Sequence, residues 1–285
     1  MQEIQFLPSA ASATKINQKM HDGLLSSLEY LVEVLTSDET DLVRAFETWR
    51  AGIQPGERLD PHVFGAYYDI VESLEDNNEA AARDLFRCIL LAQPAVPGTA
   101  IHMLGRDYSP EEQARVERYM GTPETGAAGV TVPNAGQAER FSRKLADAMQ
   151  WIDRNLPGLS GEMTELLREI VLVGPSSGSL VFEGGTCFRL WGAVALNAER
   201  KASVADLIVT LAHEEGHAAL FGLCQDEMLV ENSDAELFWS PIRRTERPLE
   251  GIFHASFVSA RMIWALRQLR DDRSFSWFDR RRMAS

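Results

Sequence analysis

The segment VADLIVTLAHEEGHAALFGL, residues 204–223, constrains the fold more than any other stretch of the chain. Val204, Leu207, Ile208 and Leu211 recur at three- and four-residue steps, which predicts a helix whose first turns are buried. His213 and His217 stand four residues apart, so on that helix both imidazoles share one face, about one turn apart. Rings placed that way can reach a single ion, through contacts of about 2.0–2.1 Å if it is zinc. Glu214 projects at a neighbouring angle, within reach of a metal-bound water or of the ligands' outer partners. Gly216 is unfavourable in a helix by about 1 kcal/mol relative to alanine. Close approach of another chain segment or of a ligand would explain it.

Around this helix the chain reads as mainly α, an α+β fold with a helical amino-terminal part. From Lys15 to Leu91 the pattern is helical, with Leu24, Leu25, Leu28, Leu31, Val32 and Leu35 forming one apolar stripe. Thr40 or Asp41 caps a helix running through Trp49, Pro55 and Gly56 break it, and Asp60-Pro61 opens another. AQPAVPGTA then interrupts the chain, and Glu111–Met120 is a short helix. Residues Gly121–Gly136 hold no helix and read as a loop or lid, after which Ala138–Asn155 and Gly161–Val171 return to helical spacing. SLVFEGG and TCFRLWGAVALN, residues 179–197, predict two or three short antiparallel strands beside the HEEGH helix. A polar connection and a last long helix, Pro248 to about Arg270, complete the chain. The expected division is a helical region 1–120 for peptide recognition, a loop 121–136 and a metal-binding region 137–285, as parts or as one continuous domain.

Composition narrows the classes. The 28 Lys and Arg against 42 Asp and Glu leave a formal charge of −14, which repels a phosphate backbone and argues against nucleic acid as a partner. No apolar run approaches the roughly 18 residues of a membrane span, and the start of the chain lacks the pattern of a secretory signal. These features predict a cytoplasmic protein without a membrane partner. Cys88, Cys187 and Cys224 are dispersed and form no CxxC pair, so buried free thiols are expected.

Two histidines rarely hold a catalytic metal tightly, so a third ligand is expected among Glu227, Glu231, Asp234, Glu236 and His254. His254, 254 − 217 = 37 residues after the second histidine, sits in RPLEGIFHASFVSARMIW. Ile252, Phe253, Phe257 and Val258 predict a buried setting for it, and beside HEEGH a ligand role is favoured over a plain core histidine. Glu250, one turn earlier, is placed to orient its second nitrogen. Leu220 and Leu223 stand where the metzincin extension needs glycine and histidine, which excludes that class. Between the two histidine elements, SPIRRTERPLEG crowds Arg243, Arg244 and Arg247 together in an otherwise acidic protein. Arginine's planar fork binds carboxylates bidentately, so these three, with Arg261 two turns beyond His254, are candidates to clamp an anionic cosubstrate.

HEEGH followed by WSPIRRTERPLEGIFHASFVSAR resembles the HExxH-type peptide-modifying proteins found with ribosomally made peptide natural products. The matching positions are His213, Glu214 and His217, then Ser240-Pro241 with Arg243, then Arg247-Pro248, Gly251 and His254. The likeness spans about Leu207 to Arg261, and Ile242 departs from it, where that family has tryptophan. The resemblance implies an iron(II)- and 2-oxoglutarate-dependent oxygenase that β-hydroxylates a residue of a precursor peptide. It implies His213, His217 and His254 as ligands, an arginine on the distal carboxylate of the oxo acid, and Glu214 as a catalytic residue tuning His213 or the substrate. Neutral nitrogen ligands suit iron, zinc and copper alike, so ligand softness does not choose the metal. The alternative is a zinc metallopeptidase with Glu214 as general base. A non-catalytic peptide-binding protein is the third class.

Overall fold

The computed structural model describes residues 6–35, 40–54, 56–95, 98–121, 129–176, 182–225, 228–242 and 244–272. Among them are nine α-helices, a mixed five-stranded sheet and a two-stranded antiparallel ribbon, a mainly helical α+β fold. Helix α1 (Ala10–Leu35) buries Ile16, Met20, Leu24, Leu28, Leu31 and Leu35 along one stripe. It packs with α2 (Thr40–Gly52), α3 (Pro61–Glu75) and α4 (Glu79–Ile89) around Phe46, Leu59, Ile70 and Phe86. As the sequence leads one to expect, Asp60 caps α3 by accepting from His62 N at 2.9 Å, with Pro61 in the first turn. This helical cluster also contains Trp191 and Ala219, so it rests directly on the HEEGH helix. Trp191 Nε1 donates to Asn17 Oδ1 at 2.9 Å across that junction.

The short strands expected in residues 179–197 are present and antiparallel to each other, but they belong to a larger, mixed sheet. Its order is β1 (Ala100–Met103), β3 (Glu169–Pro175), β5 (Ala193–Asn197), β4 (Gly184–Thr186), with β2 (Val130–Thr131) on the far end of β3. β1, β3 and β5 run parallel, and only β4 and β2 are antiparallel to their neighbours. The physical reason lies in β3, whose run EIVLVGP is buried on both faces. Ile170 and Leu172 pack toward α6 (Ala135–Asn155) and α8 (Val204–Leu223), while Val171 and Val173 pack toward Met120, Leu104 and Leu190. A strand covered on both faces loses its polar alternation and cannot be told from a buried helix by periodicity. The helix expected through Val171 accordingly stops at Leu166, as α7 (Pro157–Leu166).

Helix α5 (Pro110–Met120) carries a capping box between Ser109 and Glu112, and α8 one between Ser203 and Asp206. The polar connection after α8 contains a hairpin, β6 (Leu237–Ser240) with β7 (Thr245–Pro248), that leads into α9 (Leu249–Asp271). Of the expected loop 121–136, residues 122–128 lie outside the described ones, and the remainder supplies β2 and the start of α6. Among the described residues no helix is long and apolar enough to cross a membrane. The cysteines are free, but Cys88 is exposed, and Cys187 and Cys224 are only half-buried at the edges of apolar clusters.

Candidate metal centre

Helices α8 and α9 pack against each other, and Gly216 lies at one of their close contacts. A Cβ on Gly216 would stand 3.2 Å from Val258 Cγ1 and 3.4 Å from Arg261 Cδ, so the close approach that explains this glycine is made by α9. That contact brings His254 beside the HEEGH pair. The ring centroids of His213 and His217 are 4.8 Å apart, and those of His217 and His254 are 6.0 Å apart and nearly stacked. Phe221, one turn beyond His217, lies 5.5 Å from His254 and closes the apolar side of the group.

The two Nε2 atoms of His213 and His217 face each other at 3.2 Å. Two ligands at about 2.0–2.1 Å from one ion, at octahedral to tetrahedral angles, have donor atoms about 2.9–3.4 Å apart. The pair therefore fits one metal ion. Met262 Sδ of α9 lies 3.1 Å from His213 Nδ1, the contact made by an N–H on that nitrogen, which leaves Nε2 with its lone pair. Burial holds His254 below the usual histidine range, so it too favours the neutral form that ligates. His254 is 6.0 − 4.8 = 1.2 Å farther from His217 than His213 is. Among the described residues no three His, Cys, Asp or Glu side chains are already closed around one point. Its Nε2 lies 3.7 Å from Glu250 Oε1, a loose ionic contact beyond hydrogen-bond length.

Glu214 is buried and turned toward the sheet edge. Thr186 Oγ1 of β4 donates to its Oε2 at 2.8 Å, and its Oε1 lies 4.0 Å from His213 Nε2. Gly184 makes this possible, since a Cβ there would meet Glu214 Oε1 at 2.8 Å. Desolvation pushes the Glu214 carboxyl up to about 7, against the pull of Thr186 and of the Arg200 charge. The carboxyl can thus either hold or release a proton near neutral pH.

Glu215, which no motif marks, points to the opposite side. It is fully buried, and neither of its oxygens has a hydrogen-bond partner among the described residues. Burial, and then the charge of Glu162, hold it well above the usual carboxylate range. Glu162 of α7 pairs with Arg261 of α9, and Arg261 is 2 % exposed. Glu162 Oε2 also accepts from Ser9 N at 2.9 Å. Arg261 is thus committed to a buried carboxylate rather than open to a cosubstrate, and binding one there would require breaking that pair.

The other expected residues fall as follows. Arg244 is exposed at the hairpin turn, with φ +56°, and Arg247 is half-buried on β7 opposite Phe238. No ion pair to either guanidinium occurs among the described residues. Arg243 and Glu227 lie outside the described residues. Glu231, Asp234 and Glu236 are exposed, and Glu236 accepts from Asn232 Nδ2 at 2.7 Å, so none of them is gathered to the histidines. Comparison with models of known protein families found no match, and neither did comparison with curated proteins.

Proposed function

We propose that this protein is an iron(II)- and 2-oxoglutarate-dependent oxygenase that hydroxylates the β-carbon of a residue in a ribosomally made precursor peptide. The observation that carries the reading is the meeting of three imidazoles from two helices, with the neighbouring carboxylate, Glu214, turned away to Thr186. His213, His217 and His254 would hold the metal. Bound iron would supply oxidation of a peptide C–H bond by dioxygen, with 2-oxoglutarate converted to succinate and carbon dioxide.

The surrounding residues have defined tasks in this reading. Met262 fixes the tautomer and tilt of His213. Phe221 keeps water from the His254 side. Thr186 and Gly184 hold Glu214 where it can tune His213 and meet the substrate backbone. The helical amino-terminal half, packed on α8 through Trp191 and Ala219, is assigned to peptide recognition.

One observation favours the zinc peptidase alternative. Glu214, with its carboxyl near 7 and 4.0 Å from His213 Nε2, has the proton affinity and position of a general base toward a metal-bound water. A single experiment separates the two readings. The metal-free protein is loaded with Fe(II) or Zn(II) and incubated with candidate peptides, with and without 2-oxoglutarate. Iron-dependent succinate and a peptide heavier by one oxygen support the oxygenase. Zinc-dependent cleavage that needs no oxo acid replaces it with the peptidase.

A further inference from the structure

A string of aromatic rings leads away from the candidate metal centre. His254 of α9 lies 5.5 Å from the Phe221 ring of α8, and His217 lies 6.1 Å from the same ring. Phe221 lies 6.2 Å from Phe188, Phe188 lies 6.3 Å from Tyr68, and Tyr68 lies 5.0 Å from Tyr67 of α3. Each ring is only half-buried, so each keeps some surface open to solvent. Rings within about 7 Å of one another are in contact and form a continuous row. At about 3.3 Å per extended residue, the string spans at most about seven residues of peptide.

The string ends in a groove. Tyr67 lines a space of about 610 Å³ between α1 and α3, together with Tyr30, Leu31, Val71, Leu74 and Glu75. Tyr30 is 66 % exposed, an aromatic ring left largely to water at the groove wall. The lining stretches 26–31 and 67–75 carry four carboxylates and no cation. Asp69 holds Arg115 and Arg118, Glu72 holds Arg189, and Glu29 holds Arg50. Glu75 is exposed and forms no ion pair among the described residues. The groove thus joins aromatic and aliphatic walls to one uncompensated carboxylate. That surface complements an apolar side chain next to a lysine or arginine, whose charge also gains from the faces of Tyr30 and Tyr67.

We infer that the precursor peptide docks an apolar–basic segment in the α1–α3 groove and reaches the metal along Tyr67, Tyr68, Phe188 and Phe221. This deepens the oxygenase reading and rests on it for the role of the peptide as substrate. The anchoring segment then lies within about seven residues of the one that reacts.

The test is selection from a random dodecapeptide library on the full-length protein, followed by fluorescence anisotropy of the enriched peptides. Enrichment of an aromatic or aliphatic residue beside lysine or arginine is expected. Tyr30→Ser, on an exposed side chain, should weaken these peptides at least about tenfold. Glu75→Arg should weaken them about three- to tenfold and, used as the selecting protein, should turn the enriched charge from basic to acidic. Trp239→Ser, at a 63 % exposed ring on the β6–β7 hairpin, should leave affinity unchanged. With Mn(II) loaded, paramagnetic broadening of the bound peptide should be weakest at the apolar–basic segment and increase along the chain from it. Absent enrichment, a charge preference that Glu75→Arg does not reverse, a loss confined to Trp239→Ser, or uniform broadening overturns the docking site. Self-association that Tyr30→Ser abolishes overturns it as well, because the groove then holds a second copy of the chain. Iron-dependent succinate without groove binding removes the docking site alone. Groove binding without Mn(II) uptake or succinate removes the oxygenase reading and keeps the groove as a peptide site.

Discussion

Two histidine clusters lie in this protein, and they differ in what faces the rings. At the β1–β3 edge, His102 Nδ1 is 3.1 Å from Glu169 Oε2, and His62 Nε2 is 3.6 Å from Oε1 of the same buried carboxylate. The Tyr108 hydroxyl donates to Oε2 at 2.9 Å. The hydrogen bond to Glu169 raises His102 above the usual histidine range despite its partial burial. On α8 the rings of His213 and His217 instead face one another at 3.2 Å, with Glu214 bonded to Thr186, and on α9 burial lowers His254. A hydrogen bond to a buried carboxylate favours the protonated form of His102, whereas burial without one favours the neutral form of His254. The same residue type thus makes a polar clasp in one place and a candidate metal centre in the other.

The sharpest way to break this contrast is to remove one facing nitrogen. His217→Ala is expected to lower Zn(II) or Mn(II) affinity more than about 100-fold, because loss of a ligand's outer partner alone costs about 10–100-fold. His62→Ala, measured in the same competition titration, should leave metal affinity unchanged. Equal losses would erase the distinction between the clusters.

Stability should respond most strongly on the far side of α8. Arg261→Ala leaves Glu162 and Glu215 buried without their cation, and a loss of about 3–5 kcal/mol in urea unfolding is expected. A change of under about 1 kcal/mol, combined with a raised requirement for 2-oxoglutarate, would return Arg261 to the role of cosubstrate clamp. Glu169→Gln should cost less, about 1–3 kcal/mol, since Tyr108 and His102 keep a neutral acceptor in place of a charged one. Metal affinity in that variant should match the unaltered protein, and a drop would show that the two clusters are coupled.

The smallest expected effect is a pH dependence. Because the folded pKa of His102 lies above the ordinary histidine value of 6.5, the native state binds this proton more tightly than the unfolded chain does. The stabilisation from His102 is therefore complete below pH 6.5 and is lost as pH rises through the folded pKa. The stability difference between the unaltered protein and His102→Gln should shrink as pH is raised past 6.5. A difference that grows with pH would contradict the clasp.

Local chemistry was enough to read much of this molecule from its sequence. The existence of α8 follows from the spacing of Leu207, Ile208 and Leu211, all within a few residues of one another. The start of α3 follows from Asp60-Pro61 and that of α9 from the stretch after Pro248. The four-residue spacing of His213 and His217 predicts shared direction on a helix, and the 3.2 Å approach agrees. Gly216 signalled a close neighbour without saying which one, and the neighbour is α9.

Only the tertiary structure decided the rest. EIVLVGP becomes a parallel strand because helices cover it on one side and Met120, Leu104 and Leu190 on the other, which no local pattern encodes. Glu162 and Arg261 are far apart in sequence yet form one buried pair, so an arginine that reads as a ligand clamp is consumed by packing. Spacing along a chain determines which side chains share a direction on one element. Which charges meet depends on how elements pack, and that is set by the total burial of apolar surface, not by any one segment.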